Sequence, residues 1–259
     1  EMVIRDWSSD VCSSDLLTRY ANSMIHQNVA ENNGRVMFRA VLGKRIGVAS
    51  TNSLIDADLR VTLDNAIGIA QTQPENKHFP GLPKPAKYRT VRAFDKATAA
   101  CTPMQRARVV QKVIKEATKH GFTMAGAFST AAIEIAVVNS KGVRAYHHAT
   151  SASINMIAMS ETSSGYASRA AGKVADIDAV ALAKTAVEKC RLSQNPQSLD
   201  PGEYEVILEP AAITEMLSWL TFIGFGSKGF PQGTCILAGR NGKKLAPANP
   251  SILGSAPGT

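Results

Sequence analysis

Aromatic residues are scarce in this sequence, at 6% of 259 positions. No apolar run approaches the ~20 residues that a membrane-spanning helix requires. The core must therefore come from Ala, Val and Ile, within a total of 44% hydrophobic residues. Cysteines are few and far apart. Cys101, Cys190 and Cys235 form no C-x-x-C pair, which argues against a disulfide framework or a cysteine-rich zinc site and fits a reducing cytoplasm. The histidines are equally sparse. His26 sits in an extended run, His78 and His120 in a loop and at a helix end, and His147 and His148 on opposite faces of one strand. None repeats at the spacing of a zinc-binding helix. No G-x-S-x-G elbow occurs. "GFGSKG" (Gly224, Gly226, Gly229) matches G-x-G-x-x-G, but it follows an apolar helix where a dinucleotide fingerprint must follow a strand.

The opening "EMVIRDWSSDVCSSDL" has neither helical nor strand period and no signal-peptide core. "RDWSSDVCSSDL" looks like one reading frame of a sequencing-library adapter. Residues 1–16 are therefore read as a non-native tract outside the fold. The remaining sequence holds 28 basic and 17 acidic residues, net +11. The cations are scattered, without a dense block or interleaved aromatics, which argues against a nucleic-acid partner.

Residues 18–30 read as one extended strand. "RVMFRAVLGKRIGVAS" reads as a hairpin turning at Leu42-Gly43-Lys44. The period then becomes helical. Leu54, Leu59, Leu63, Ala66, Ile67 and Ala70 form one stripe, with Thr51, Asn52 or Ser53 as cap. "FPGLPKPAKY" is a linker. "TPMQRARVVQKVIKEATKHG" is a helix with Thr102 as cap, Pro103 in the first turn, Gly121 at the stop, and Val109, Val113, Ile114 and Ala117 inward. Five strand-like runs follow between residues 122 and 172, "NSKG" marking a turn, which predicts an antiparallel meander. A helix capped by Asp176 buries Ala179, Leu182, Ala183, Ala186, Val187 and Cys190. "DPGEYEVILEP" reads as turn and strand, "AAITEMLSWLTFIGF" as an apolar helix. On that helix Ile213, Leu217 and Leu220 cluster, and Glu215 lies elsewhere on the wheel, as the polar face of a core helix.

Several blocks together resemble the TldD/PmbA (modulator of DNA gyrase) family. They are "TRYANSMIHQNVAENNGRVMFRAVLGKRIGVASTNSLIDADLR", "HFPGLP", "AFST", "IAVVNSKGVRAYHHAT", "SGYA" and "LDPGEYEVILEPAAITEMLSWLTFIGFGSKG", and the likeness spans residues 17–250 in family order. The resemblance implies a zinc metallopeptidase family whose catalytic members carry H-E-x-x-x-H on the helix after the strand that "EYEVILEP" resembles. There two histidines hold Zn²⁺ and the glutamate is the general base. In this sequence the aligned stretch reads T-E-M-L-S-W. Thr214 and Trp219 stand at the histidine positions and Glu215 at that of the base. A hydroxyl is a poor neutral zinc ligand, and an indole offers only a donor N–H.

The expectation is an α+β chain: a helix-and-hairpin N-terminal unit over 17–83, an antiparallel sheet with flanking helices over 84–200, and the truncated start of a β-rich C-terminal domain over 201–259. The resemblance implies a PmbA/TldE-type subunit, not catalytic alone, within a heterodimeric peptidase that cleaves unfolded or small peptides in the cytoplasm. It implies no catalytic or metal-binding residue and no cofactor in this chain, Zn in a TldD-type partner subunit, a peptide as the other partner, and no membrane. The alternatives are an active metallopeptidase with an unrecognised site, and a scaffold or gyrase-modulating interaction protein.

Overall fold

The structure is a computed structural model and describes residues 6–224, 233, 235, 237–240 and 242–243. The chain divides into two compact units, Glu1–Gln197 and Ser198–Thr259. The first unit is a single antiparallel sheet of six strands: β1 (Asp6–Ala21), β2 (Met24–Leu42), β3 (Arg45–Thr51), β4 (Thr123–Asn139), β5 (Arg144–Met159) and β6 (Ser164–Ala171). Their order across the sheet is β3-β2-β1-β4-β5-β6. Two meanders thus meet along β1 and β4, and the sheet runs unbroken across the linker at residues 79–88.

Four readings of the strands change. Residues 18–30 are two strands, because Asn22 and Ser23 both adopt positive φ (50° and 57°), the conformation of a primed two-residue hairpin turn. Asn tolerates it through its short polar side chain, and Ser23 is tied to Met124 through its own N–H (3.0 Å) and hydroxyl (3.1 Å). The five runs between 122 and 172 are three strands, since Ala and Ser at the apparent junctions break no ladder. Residues 203–209 join no strand among the described residues. Strand-forming side chains such as Val206 and Ile207 do not make a strand without a neighbour to take the backbone groups. The fourth concerns the opening tract. Residues 6–16 lie within β1, Val11–Leu16 against β2 and Ser8–Leu16 against β4. Ser and Asp have little strand preference, but a place between two strands gives the backbone of Val11–Leu16 partners on both sides.

The helices are α1 (Asp56–Thr72), the single turn α2 (Lys96–Ala99), α3 (Pro103–Thr118) and α4 (Ala179–Leu192) in the first unit, and α5 (Pro210–Gly224) in the second. Thr102 and Gln105 form a reciprocal capping box on α3, with Pro103 in its first turn. At α4 the cap is Asp178, whose Oδ1 accepts from Val180 N–H (3.1 Å) and Ala181 N–H (2.9 Å); Asp176 closes the 3-10 turn before it. Neither Thr51, Asn52 nor Ser53 caps α1. Ser53 instead accepts from Ile55 N–H and donates to Asp58, so the helix starts later and Leu54 stays outside it, exposed.

Register and burial place α1, α3 and α4 on one face of the sheet. Two glycines set the approach of α1 and α4. A Cβ on Gly47 of β3 would lie 2.0 Å from Ala66 O, and one on Gly165 of β6 2.0 Å from Ala186 O. Each edge strand therefore lets a helix backbone settle directly on it. The sequence repeats this arrangement. Gly47-x-Ala49-Ser50 matches Gly165-x-Ala167-Ser168, and Asp56-x-Asp58 matches Asp176-x-Asp178. The helix contacts Ala66/Ala70 and Ala186/Cys190 follow the first aspartate at equal distance.

Between these helices, α3 buries Val110, Val113 and Ala117 together with Arg106, while Val109 and Ile114 are half-buried. The Arg106 guanidinium is fully enclosed. Its Nε donates to Thr18 Oγ1 (3.1 Å) and its Nη1 to Cys101 O (2.8 Å) and Thr130 Oγ1 (3.4 Å), while Nη2 has no partner. These bonds lock α3 to β1 and β4 at the seam between the meanders. Burial pulls this guanidinium below its ordinary pKa, but an arginine remains cationic in a protein.

Candidate functional site

The expected site positions fall on α5. Pro210 opens the helix, where a missing N–H costs nothing, and Glu215 is its only charged residue. Thr214 Oγ1 donates back to Pro210 O at 2.7 Å, and Ser218 Oγ to Thr214 O at 2.7 Å. One turn on, Trp219 Nε1 donates to Glu215 Oε1 at 3.1 Å, and the indole meets Phe222 edge-on at 6.4 Å. The three positions are thus engaged in local helix bonds. Thr214 and Trp219, five residues apart, point about 140° away from each other in a regular helix. The residues present do not fit a zinc ion. Glu215 serves here as an exposed acceptor for an indole.

The core-helix reading of α5 needs correction. Met216 (62%), Trp219 (59%) and Phe222 (82%) are exposed, and Gly224 is its one buried residue among those described. The cause is composition: a helix apolar on nearly every side needs cover on several sides at once.

A second feature was not foreseen. β6 pairs only with residues 152–159 of β5, so the outer edge of residues 144–151 has no strand beside it. The linker runs past this edge and is tied at two places. Asn139 Nδ2 donates to Pro83 O (2.9 Å). Further on, Thr150 N–H donates to Ala93 O (3.0 Å), and Asp95 N–H to Thr150 Oγ1 (3.0 Å). Between the ties residues 88–91 stand off from the strand and leave a cleft of about 540 Å³.

Arg89, Arg144 and residues 145–148 line this cleft, with Ile135 and Val137 at its floor. The His148 ring packs edge-on against Phe94 (4.9 Å) and lies 5.8 Å from Tyr146. Partial desolvation and then the Glu134 carboxylate, with which it hydrogen-bonds, hold the Tyr146 phenol above its ordinary pKa. The arrangement is suited to binding: two guanidinium groups, aromatic rings and an unpaired backbone edge. The reading of scattered cations without interleaved aromatics passed over "KYRTVR" and "RAYHH", which were masked by the Pro-rich linker and by reading β5 as two strands.

Among the described residues, no three His, Cys, Asp or Glu side chains stand close enough to share a metal ion. Cys101 and Cys190 are buried thiols. Desolvation pushes Cys101 above the usual thiol pKa, although Arg106 opposes it. Gly226 and Gly229 of the G-x-G-x-x-G match lie outside the described residues. No described helix is long and apolar enough to cross a membrane.

Residues 13–70 match the model for PmbA/TldA metallopeptidase domain 1, and residues 77–193 that for the PmbA/TldA metallopeptidase central domain. The chain belongs to the PmbA/TldD family. The two matches divide it at the linker, so the family's first two domains share the one sheet. No curated protein matches the chain. Among solved structures, TldE from Thermococcus kodakarensis superposes with a TM-score of 0.78 at 20% identity, over 90% of this chain and 54% of that one. A protein described as a modulator of a DNA gyrase from Thermotoga maritima gives 0.78 at 15% identity, over 92% and 55%. Another so described, from Bacteroides thetaiotaomicron, gives 0.79 at 15%, over 95% and 58%. At such identities the likeness shows the fold. The chain spans little more than half the length of these structures.

Proposed function

We propose that this chain is the non-catalytic, PmbA/TldE-type subunit of a cytoplasmic heterodimeric zinc metallopeptidase acting on unfolded or small peptides. In this reading a TldD-type partner subunit holds the zinc, and the present chain contributes to the peptide chamber. One observation carries the reading. At the family's metal-binding helix the two imidazole positions are Thr214 and Trp219, and the carboxylate between them accepts the indole N–H. In a zinc peptidase the glutamate acts as general base on a water whose pKa the bound metal has lowered, so its companions matter more than its presence. The metallopeptidase character of the family is consistent with this division of labour.

The test is metal content and partner capture. Purified alone, the chain is expected to carry well under one zinc per molecule. From its native host it is expected to co-purify with an H-E-x-x-x-H protein, and chelator-sensitive peptidase activity should follow the pair. Stoichiometric zinc on the isolated chain, with chelator-sensitive cleavage, would overturn the reading. A gyrase-modulating role is the second reading, favoured by the description given to two of the structural neighbours. It predicts an effect on gyrase supercoiling without peptide binding.

A further inference from the structure

We propose that the open edge of β5 at residues 144–148 is a docking site for an extended peptide segment with carboxylate side chains, added as a further strand between β5 and residues 88–91. The proposal rests on the reading above insofar as it takes a peptide as the ligand class.

The backbone argues first. Along an antiparallel strand, successive residues direct their N–H and C=O groups to alternate sides. Thr150 sends its N–H outward to Ala93 O, and from residue 152 onward the outward side is taken by β6. The same alternation aims the backbone groups of Arg144 and Tyr146 into the cleft. Such a row of unpaired groups is a template for another strand. The strand itself lacks two of the protections common at an edge, and among the described residues only the linker at residues 88–91 stands beside it. The strand edge carries no proline or lysine, and the β4–β5 register runs without a bulge from Thr123/Met159 to Val138/Arg144. Five residues of strand span about 16 Å, and about 540 Å³ is within the range of ligand-binding clefts.

Side-chain chemistry then selects the occupant. Arg89 and Arg144 line the cleft. The nearby Glu134 is engaged by Tyr146. Carboxylates on one side of an added strand would meet the guanidinium groups, and apolar residues on its other side would meet Ile135 and Val137. A single-stranded RNA could offer charge to the arginines, but it has no amide ladder to match the strand edge.

The experiment uses the 259-residue chain and fluorescent octapeptides of alternating Glu and Val. Controls are a Lys/Val counterpart, a Glu/Val peptide N-methylated at alternate amides, and an oligouridylate. The Glu/Val peptide is expected to bind and to slow amide exchange at residues 144–148. The Lys/Val and N-methylated peptides should each bind at least about tenfold more weakly. Arg89→Glu and Arg144→Glu, at exposed positions, should each weaken the Glu/Val peptide about tenfold with melting unchanged. Equal binding of the N-methylated peptide, protection elsewhere, absence of binding, or equal protection by the oligouridylate would each overturn the proposal. The subunit reading fails separately. Peptide protection at residues 144–148 on a chain that carries its own zinc would leave this site standing and remove that reading. A chain that captures a zinc subunit but shows no such protection does the reverse.

Discussion

Tyr20 and Arg106 mark the seam between β1 and β4, and neither declares itself in the sequence. An arginine on a helix reads as surface, and a tyrosine in a short polar strand reads as half-exposed. Both are buried because β1 is central, and its position depends on a partner strand far along the chain. The Tyr20 hydroxyl donates to Asn155 O at 3.1 Å, passing over Gly126, where a Cβ would lie 2.7 Å from the phenol oxygen. Burial raises the Tyr20 pKa. The unfolded phenol ionises near pH 10, whereas the folded one keeps its proton to higher pH. This contribution to stability is therefore complete below about pH 10 and is lost as pH rises from there toward the folded value. Tyr20→Phe is expected to cost about 1 kcal/mol at neutral pH, from the lost hydrogen bond. The gap to the parent should close above about pH 10, as read by urea denaturation across pH. A constant difference would mean that the phenol titrates alike in both states.

At the scale of elements, α3 and α4 were legible because their own residues specify them: the Thr102 cap, Pro103 at the start, and apolar stripes. On α3, however, Val110 is fully buried while Val109 and Ile114 are half-buried, and α4 is capped by Asp178 and not Asp176. The turn at Asn22-Ser23 was missed because it lacks glycine. The strand expected at 203–209 failed because strand formation depends on a neighbour more than on composition. On α5, the identities of Thr214, Glu215 and Trp219 were readable, while the Trp219–Glu215 bond and the exposure of the apolar residues around it were not. The two strand–helix contacts at glycine yield a sharper test. Gly47→Ala places a methyl into helix backbone, and Gly165→Ala places one into helix backbone and Lys189 Cβ, none of which can swing aside. Each is expected to cost about 3 kcal/mol. Gly68→Ala, where a Cβ meets nothing within 4 Å, should stabilise α1 by about 0.5 kcal/mol. Thermal melting of the three variants checks both signs.

For the whole molecule, the sheet is two three-stranded meanders, each followed by a helix laid on its outer strand, joined back to back. The repeat is present in the sequence at Gly47/Gly165 and Asp56/Asp176, but few residues carry it, and unlike lengths of chain separate them. The same plan bears on the opening tract. The family match begins at residue 13, and among residues 13–21 of β1, whose burial is described, the first buried position is Thr18. Removal of residues 1–12 is therefore expected to change stability by about 1 kcal/mol or less, whereas removal through Tyr20 should prevent cooperative melting. A large loss from the shorter deletion would show that the Ser/Asp stretch is integral to the sheet.

The place of β1 also has a cost during synthesis. Its second neighbour, β4, ends at Asn139, so at about 5–20 residues per second the ribosome leaves one flank of β1 bare for on the order of ten seconds. In that interval the first meander and α1 can already close on each other, because their contacts are local. Two nascent chains on one messenger would then each present the same bare flank, and pairing between them would compete with the arrival of β4.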